Sequence, residues 1–231
     1  MNELSHRKIS CHTFLCQALL CLFALAGSGW PSAPALAAGP APLNPEISRA
    51  IAQPGDVAAG KRAYRTCQGC HRADAGGLSN GTYPQLAGQH PSVVIKQVLD
   101  IRAGRRDSPK MEPFIAEGEA GVTELVNIAA YLATLPPPAR NGQGPGRQLD
   151  LGKHLYDRDC AACHGRKGEG DGARFYPRLA SQHYLYLVRE TRESRDQGRR
   201  NPDAEMVKVL RHYSNSDIEA VSDYLSRQRG Q

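Results

Sequence analysis

Two five-residue stretches constrain this 231-residue chain more than any other feature: Cys67-Gln68-Gly69-Cys70-His71 and, ninety-three residues on, Cys160-Ala161-Ala162-Cys163-His164. Thiols three residues apart lie about one helical turn from each other, within reach of the two vinyl groups on one porphyrin edge. The adjoining His can then swing its imidazole under the ring as the proximal iron ligand. A bare C-x-x-C is weak evidence, because zinc sites and thioredoxin-like pairs use it too. The His in the next position, occurring twice in one chain, points to two covalently bound haem c groups. Zinc or a pair of disulfides are the remaining readings.

The other cysteines narrow the chemistry. Cys11, Cys16 and Cys21 fall in a leader, and the other four of the seven Cys fall in the two motifs. Residues 1–37 read as a secretory signal peptide: Arg7 and Lys8 form a positive start, Phe14 to Ala26 an apolar core, and Ala35-Leu36-Ala37 a cleavage site. The apolar run is short for a membrane span, which needs about 20 residues. Leu20 ahead of Cys21 argues against a lipoprotein. The mature chain, expected to begin at Ala38 in the periplasm, then has no spare thiol for a structural disulfide, a nucleophile or an iron ligand.

After an irregular lead-in at 38–54, an internal repeat takes over. Gly60-Lys61-x-x-Tyr64-x-x-Cys67 is echoed by Gly152-Lys153-x-x-Tyr156-x-x-x-Cys160, one residue longer. Tyr83-Pro84-Gln85-Leu86-Ala87-Gly88-Gln89-His90 is echoed by Tyr176-Pro177-Arg178-Leu179-Ala180-Ser181-Gln182-His183, with each proline 13 residues past its motif His. The copies span 55–136 and 149–231, and 137–148 is a linker by its Pro and Gly content. Cores of this size are marginal unaided, and a buried prosthetic group is the kind of staple that completes them.

Apolar residues recur at helical spacing. Val93, Val94, Val98, Leu99 and Ile101 form one face; Leu185, Leu187 and Val188 its counterpart. Val122, Leu125, Val126, Ile128, Ala129 and Leu132 form another, matched by Ile218, Val221, Tyr224 and Leu225, with Ser214 and Asp217 reading as a helix start. Alternation long enough for a sheet is absent, so the expected fold is all-α.

Each iron needs a sixth ligand or an open position. Beyond the initiator the chain has two methionines, Met111 and Met206, one per copy and each shortly before the last helix. A lone Met is usually core filling; a matched pair on the approach to a terminal helix points to ligation. His90 and His183 are the competitors, but their position just ahead of a helix suits capping or surface roles. His154 and His212 have no counterpart in the other copy. His/Met ligation raises the reduction potential and fills all six positions, which favours one-electron transfer over bond chemistry.

The paired C-x-x-C-H motifs, the Pro-x-Leu-Ala-x-Gln segments and the late methionines resemble dihaem class I cytochromes c of the cytochrome c4 family, over about residues 55–228. The resemblance implies two tandem cytochrome c domains, with Gly60 and Gly152 at close helix crossings near Tyr131 and Tyr224. It also implies that the carbonyls of Pro84 and Pro177 receive Nδ1–H of His71 and His164, and that the domains face each other across a pseudo-two-fold axis. The expected function is a periplasmic electron carrier between a respiratory complex or dehydrogenase and a terminal oxidase, with transient membrane-complex association. A dihaem subunit of a periplasmic dehydrogenase is the alternative. Independent catalysis is disfavoured, since each copy has its own Met. Nucleic acid is not expected as a partner: the net charge is +6 at pH 7, and the basic residues are spread over both copies.

Overall fold

Short polar caps and prolines set where the helices begin. The computed structural model describes residues 44–115, 121–198, 200–201 and 203–229; the leader and residues 38–43 lie outside these. Asn44 accepts the Glu46 N–H through its side chain and Pro45 takes the first turn of α1 (Pro45–Ile51). Asp56 caps α2 (Val57–Ala63), which tightens into a 3-10 turn at Tyr64–Thr66 before α3 (Gln68–His71). The first half continues with α4 (Pro91–Arg102), α5 (Glu112–Ile115) and α6 (Val122–Thr134).

The second half repeats the plan with α7 (Leu149–Asp159), α8 (Ala161–His164), α9 (Tyr184–Arg195), α10 (Ala204–Leu210) and α11 (Asn215–Arg227). Ser214 and Asp217 form a reciprocal capping box at the start of α11. Among the described residues there is no strand, only an isolated bridge between Asp171 and Tyr176. The fold is all-α, two tandem cytochrome c-type halves joined by a Pro/Gly-rich connection.

In each half the first long helix crosses the last: α2 packs on α6, and α7 on α11. Glycine permits the approach. A Cβ at Gly60 would run into the backbone carbonyl of Asn127, and one at Gly152 into that of Ala220. Tyr64 stacks tilted on Tyr131 and Tyr156 on Tyr224, both at 5.7 Å between ring centroids. Each half has its own core, around Tyr64, Leu99 and Leu132 in one and Tyr156, Leu210 and Ile218 in the other.

Two expectations need correction. The lead-in is not irregular throughout: α1 falls within it, and Ile47 and Ala50 are buried in the first core against α4 and α6. A cap, a proline and two apolar residues three apart are enough to dock one short helix. Leu185 does not share the buried face of Leu187 and Val188. It is 49% exposed, since it sits at the seam beside Gly81 of the first half rather than over its own core.

The halves meet through contacts that come in matched pairs. The Gln89 carboxamide spans both backbone groups of Arg178, accepting its N–H at 2.9 Å and donating to its C=O at 3.0 Å. Gln182 does the same to Gln85, at 3.0 and 2.9 Å. His90 Nε2 meets the Glu169 carbonyl at 2.8 Å, and His183 Nε2 the Gly76 carbonyl at 2.7 Å. Every partner is exchanged for its equivalent ninety-three residues along. Such reciprocity marks an isologous, two-fold interface, here within one chain. Ionic contacts reinforce it: Arg106 reaches Glu190 at 2.9 Å and the Tyr186 hydroxyl at 3.2 Å.

Candidate haem sites

The two motifs fold as single helical turns. In the first, His71 N–H donates to Cys67 C=O at 2.9 Å; in the second, His164 N–H donates to Cys160 C=O, also at 2.9 Å. Each turn ends in a residue at positive φ, Arg72 at 68° and Gly165 at 80°, which swings the chain away and leaves the imidazole on the inner side. The carbonyls of those residues receive the hydroxyls of Tyr64 and Tyr156, at 3.0 and 2.5 Å. A buried tyrosine from the preceding helix therefore fixes where the motif stops.

Both motif histidines are buried. His71 Nδ1 lies 3.0 Å from the Pro84 carbonyl, and His164 Nδ1 lies 3.1 Å from the Pro177 carbonyl. A carbonyl can only accept, so Nδ1 carries the proton and Nε2 presents a lone pair. Burial lowers the proton affinity of both rings below the ordinary value of 6.5, while the carbonyl bonds pull the other way. At neutral pH each is a neutral imidazole oriented to bind metal through Nε2. Proline suits the acceptor position because it has no N–H to compete for the ring and its fixed φ holds the loop.

No two of the four motif cysteines form a disulfide. Burial, helped by Glu124, pushes Cys67 up to about 11; burial, helped by Asp159, pushes Cys160 up to about 12. A redox-active C-x-x-C needs the opposite, a lowered thiol pKa. Nor do three or more of His, Cys, Asp and Glu converge on one point among the described residues, as a closed zinc site requires. The donor set fits haem c: two thiols one turn apart, a neighbouring imidazole with a free Nε2, and apolar surroundings.

Met111 and Cys67 pack on the first core cluster, and Met206 and Cys160 on the second, so each methionine shares a cluster with its own motif. Met111 lies just ahead of α5, its N–H donating to Ser108 C=O at 2.8 Å. Met206 sits inside α10, its N–H held by the Asp203 side chain at 2.9 Å. The expected loop setting thus holds for Met111, whereas a short capped helix carries Met206.

His90 and His183 precede α4 and α9 but cap neither through their side chains. His183 is not a surface residue: it is 2% exposed, with Nδ1 accepting the Gly142 N–H at 3.0 Å while Nε2 donates to Gly76. The inter-half contact overrides the exposure expected of a loop histidine. Sequence reasoning also missed the roles of Tyr83 and Tyr176. Tyr83 lies edge-on to His71 and Tyr176 lies tilted against His164, both at 6.0 Å between ring centroids. Their recurrence just before the matched prolines was the available signal.

Comparison with known proteins agrees with this geometry. The family model for cytochrome c matches residues 149–228. A thiosulfate dehydrogenase electron acceptor from Stutzerimonas stutzeri (strain A1501) is 34% identical over 175 residues, 71% of this chain and 79% of that protein. Cytochrome c4 of Thiocapsa roseopersicina is 32% identical over 190 residues, 76% of this chain and 94% of its own length. The crystal structure of reduced recombinant cytochrome c4 from Pseudomonas stutzeri superposes with a TM-score of 0.68 at 27% identity, over 76% of this chain and all of that one. With two C-x-x-C-H turns, two carbonyl-oriented imidazoles and a doubled helical frame, the chain belongs to the cytochrome c4 family, electron-transfer cytochromes that hold haem c covalently.

Proposed function

We propose that the protein carries two haem c groups, one per half, and relays single electrons between them and its redox partners. Cys67, Cys70 and His71 with Met111 hold the first; Cys160, Cys163 and His164 with Met206 hold the second. The doubled His–Pro carbonyl bond supports this most directly: two imidazoles in one chain, oriented alike, each sharing a core with one methionine. When bound, haem supplies the one-electron ferric/ferrous couple. The Pro84 and Pro177 carbonyls fix ring orientation and raise ligand basicity. Met111 and Met206 would hold the iron through their thioethers, which would favour the reduced state. The halves act as domains 55–136 and 149–231 joined by the linker 137–148.

The chain acts in the periplasm, exported by residues 1–37 and cleaved near Ala37, with donors and acceptors among membrane respiratory complexes, dehydrogenases and oxidases. Among the described residues no helix is long and apolar enough to cross a membrane. A dihaem subunit of a periplasmic dehydrogenase is the second reading, favoured by the relative named as a thiosulfate dehydrogenase electron acceptor.

The test is spectroscopic titration of the purified, haem-loaded chain. Two covalent haems per chain are expected, with Met111→Ala and Met206→Ala each removing half of the sulfur-to-iron charge-transfer band and lowering one potential. One haem, or a full band after either change, overturns the assignment.

A further inference from the structure

The recurring glutamine of the Pro-x-Leu-Ala-x-Gln segments sits at the junction of two observations. The carbonyl that receives His71 Nδ1–H belongs to the Pro84–Gln85 peptide. The N–H of that same peptide, on Gln85, donates to Oε1 of Gln182 from the opposite half at 3.0 Å. The second half repeats it: His164 donates to Pro177 C=O, and the N–H of the Pro177–Arg178 peptide donates to Oε1 of Gln89 at 2.9 Å. Each glutamine is locked in orientation. Its Nε2 donates to the carbonyl of the residue it brackets, and its Oε1 also takes the N–H of the next histidine, 3.1 Å for His90 and 3.0 Å for His183.

A peptide that donates at its N–H becomes a better acceptor at its C=O, and such chains strengthen one another by about 10–30% per bond. We infer that Gln182 and Gln89 are positioning residues that tune the iron of the opposite half through the bridging peptide. Accepting the Gln85 N–H makes Pro84 C=O a stronger partner for His71, which gives the imidazole more anionic character and favours ferric iron. Gln89 does the same to His164. Each potential therefore depends on the other half being docked. Gln85 and Gln182 are 5% and 7% exposed, whereas Gln89 is only half-buried, so the effect of Gln182 on the first site is the larger.

This rests on the ligation proposed above, and the experiment separates the two. In the full haem-loaded chain, the two potentials and the His Nδ1–H proton shifts of the reduced protein are measured for wild type, Gln182→Ala, Gln89→Ala and Ser92→Ala. Ser92 donates to the Gly172 carbonyl across the same seam but touches neither proline peptide. Gln182→Ala should raise the potential of the His71 site, by about a two-fold change in its reduced-to-oxidised ratio at fixed ambient potential, and move His71 Nδ1–H to a weaker-bond shift. The His164 site should stay in place. Gln89→Ala should give the crossed result, and Ser92→Ala should move neither. Equal shifts at both sites, shifts within the mutated half, or none with the wild-type spectrum intact overturn the inference while leaving the ligation standing. Fewer than two Met-ligated haems in the unmutated chain sink both.

Discussion

The two halves do the same thing with different backbones. Where the second ends its motif on Gly165 and turns at Gly168, the first uses Arg72 and Ala75, both at positive φ. Arg72, at φ 68° and ψ 163°, occupies a region that essentially only glycine adopts. The second half instead carries an inserted residue. Its α7 runs unbroken to Asp159, where the first half tightens into a 3-10 turn. Asp159 then accepts the Tyr213 hydroxyl at 2.7 Å, while its carboxyl, held foremost by Arg158, lies below the usual carboxylate range. The second half also lends Phe175 to the first core. The helix crossing, the motif turn, the proline carbonyl and the paired glutamine and histidine contacts are common to both; cap residues, insertions and one-sided contacts such as that of Phe175 differ.

The largest test of this likeness is at the crossings. Gly60→Ala and Gly152→Ala each force a Cβ onto a facing backbone carbonyl, and overpacking against backbone should cost about 3 kcal/mol or more. Guanidinium unfolding of the haem-loaded chain should show comparable losses. A mild effect at one site alone would break the equivalence of the two frames.

A smaller effect separates the seam histidines. Burial holds His183 below its ordinary 6.5, the Gly76 carbonyl acting against this, and protonation would cost it the Gly142 N–H. The unfolded chain takes up that proton first. The stability contributed by neutral His183 is therefore fully present above about 6.5 and is lost as pH falls through and below that value. Melting temperatures measured between pH 7.5 and 5, as rough bounds around the histidine range, should decline in wild type. In His183→Gln the slope should be shallower; an unchanged slope would show that another group carries it.

The smallest change concerns the strained cap. Arg72→Gly should stabilise the first half by about 1 kcal/mol, because relief of the positive-φ strain exceeds the entropy glycine adds to the unfolded chain. The Arg72–Asp74 pair that is lost, at 3.6 Å and well exposed, contributes little. A destabilised variant in thermal melts would mean that the first half has adapted to its arginine.

Much of this was legible beforehand because the chemistry fixes local spacing. The role of the proline carbonyl and the glycine crossings were expected from the family resemblance, whereas the motif His and the proline thirteen residues on are short-range spacings that duplication printed twice. Ser214 and Asp217 could be read as a cap for the same reason. What escaped depends on partners distant in sequence. Nothing local marks His183 as buried or Leu185 as exposed, since both are decided by what the other half places against them. Docking of α1 likewise required the surfaces of α4 and α6. The glutamines were visible as a recurrence, but their use appears only once residues ninety-seven apart are brought together.

Joining the two copies in one polypeptide has a consequence for how such a seam can evolve. In a dimer of identical subunits, any substitution at the contact is felt on both sides of the axis at once. Here a change strikes one side only, as Arg178 standing where the other copy has Gln85 already illustrates, its guanidinium turned to the carbonyl of Arg229. Tandem fusion thus lets one half be adjusted by inheritance while its twin stays as it was.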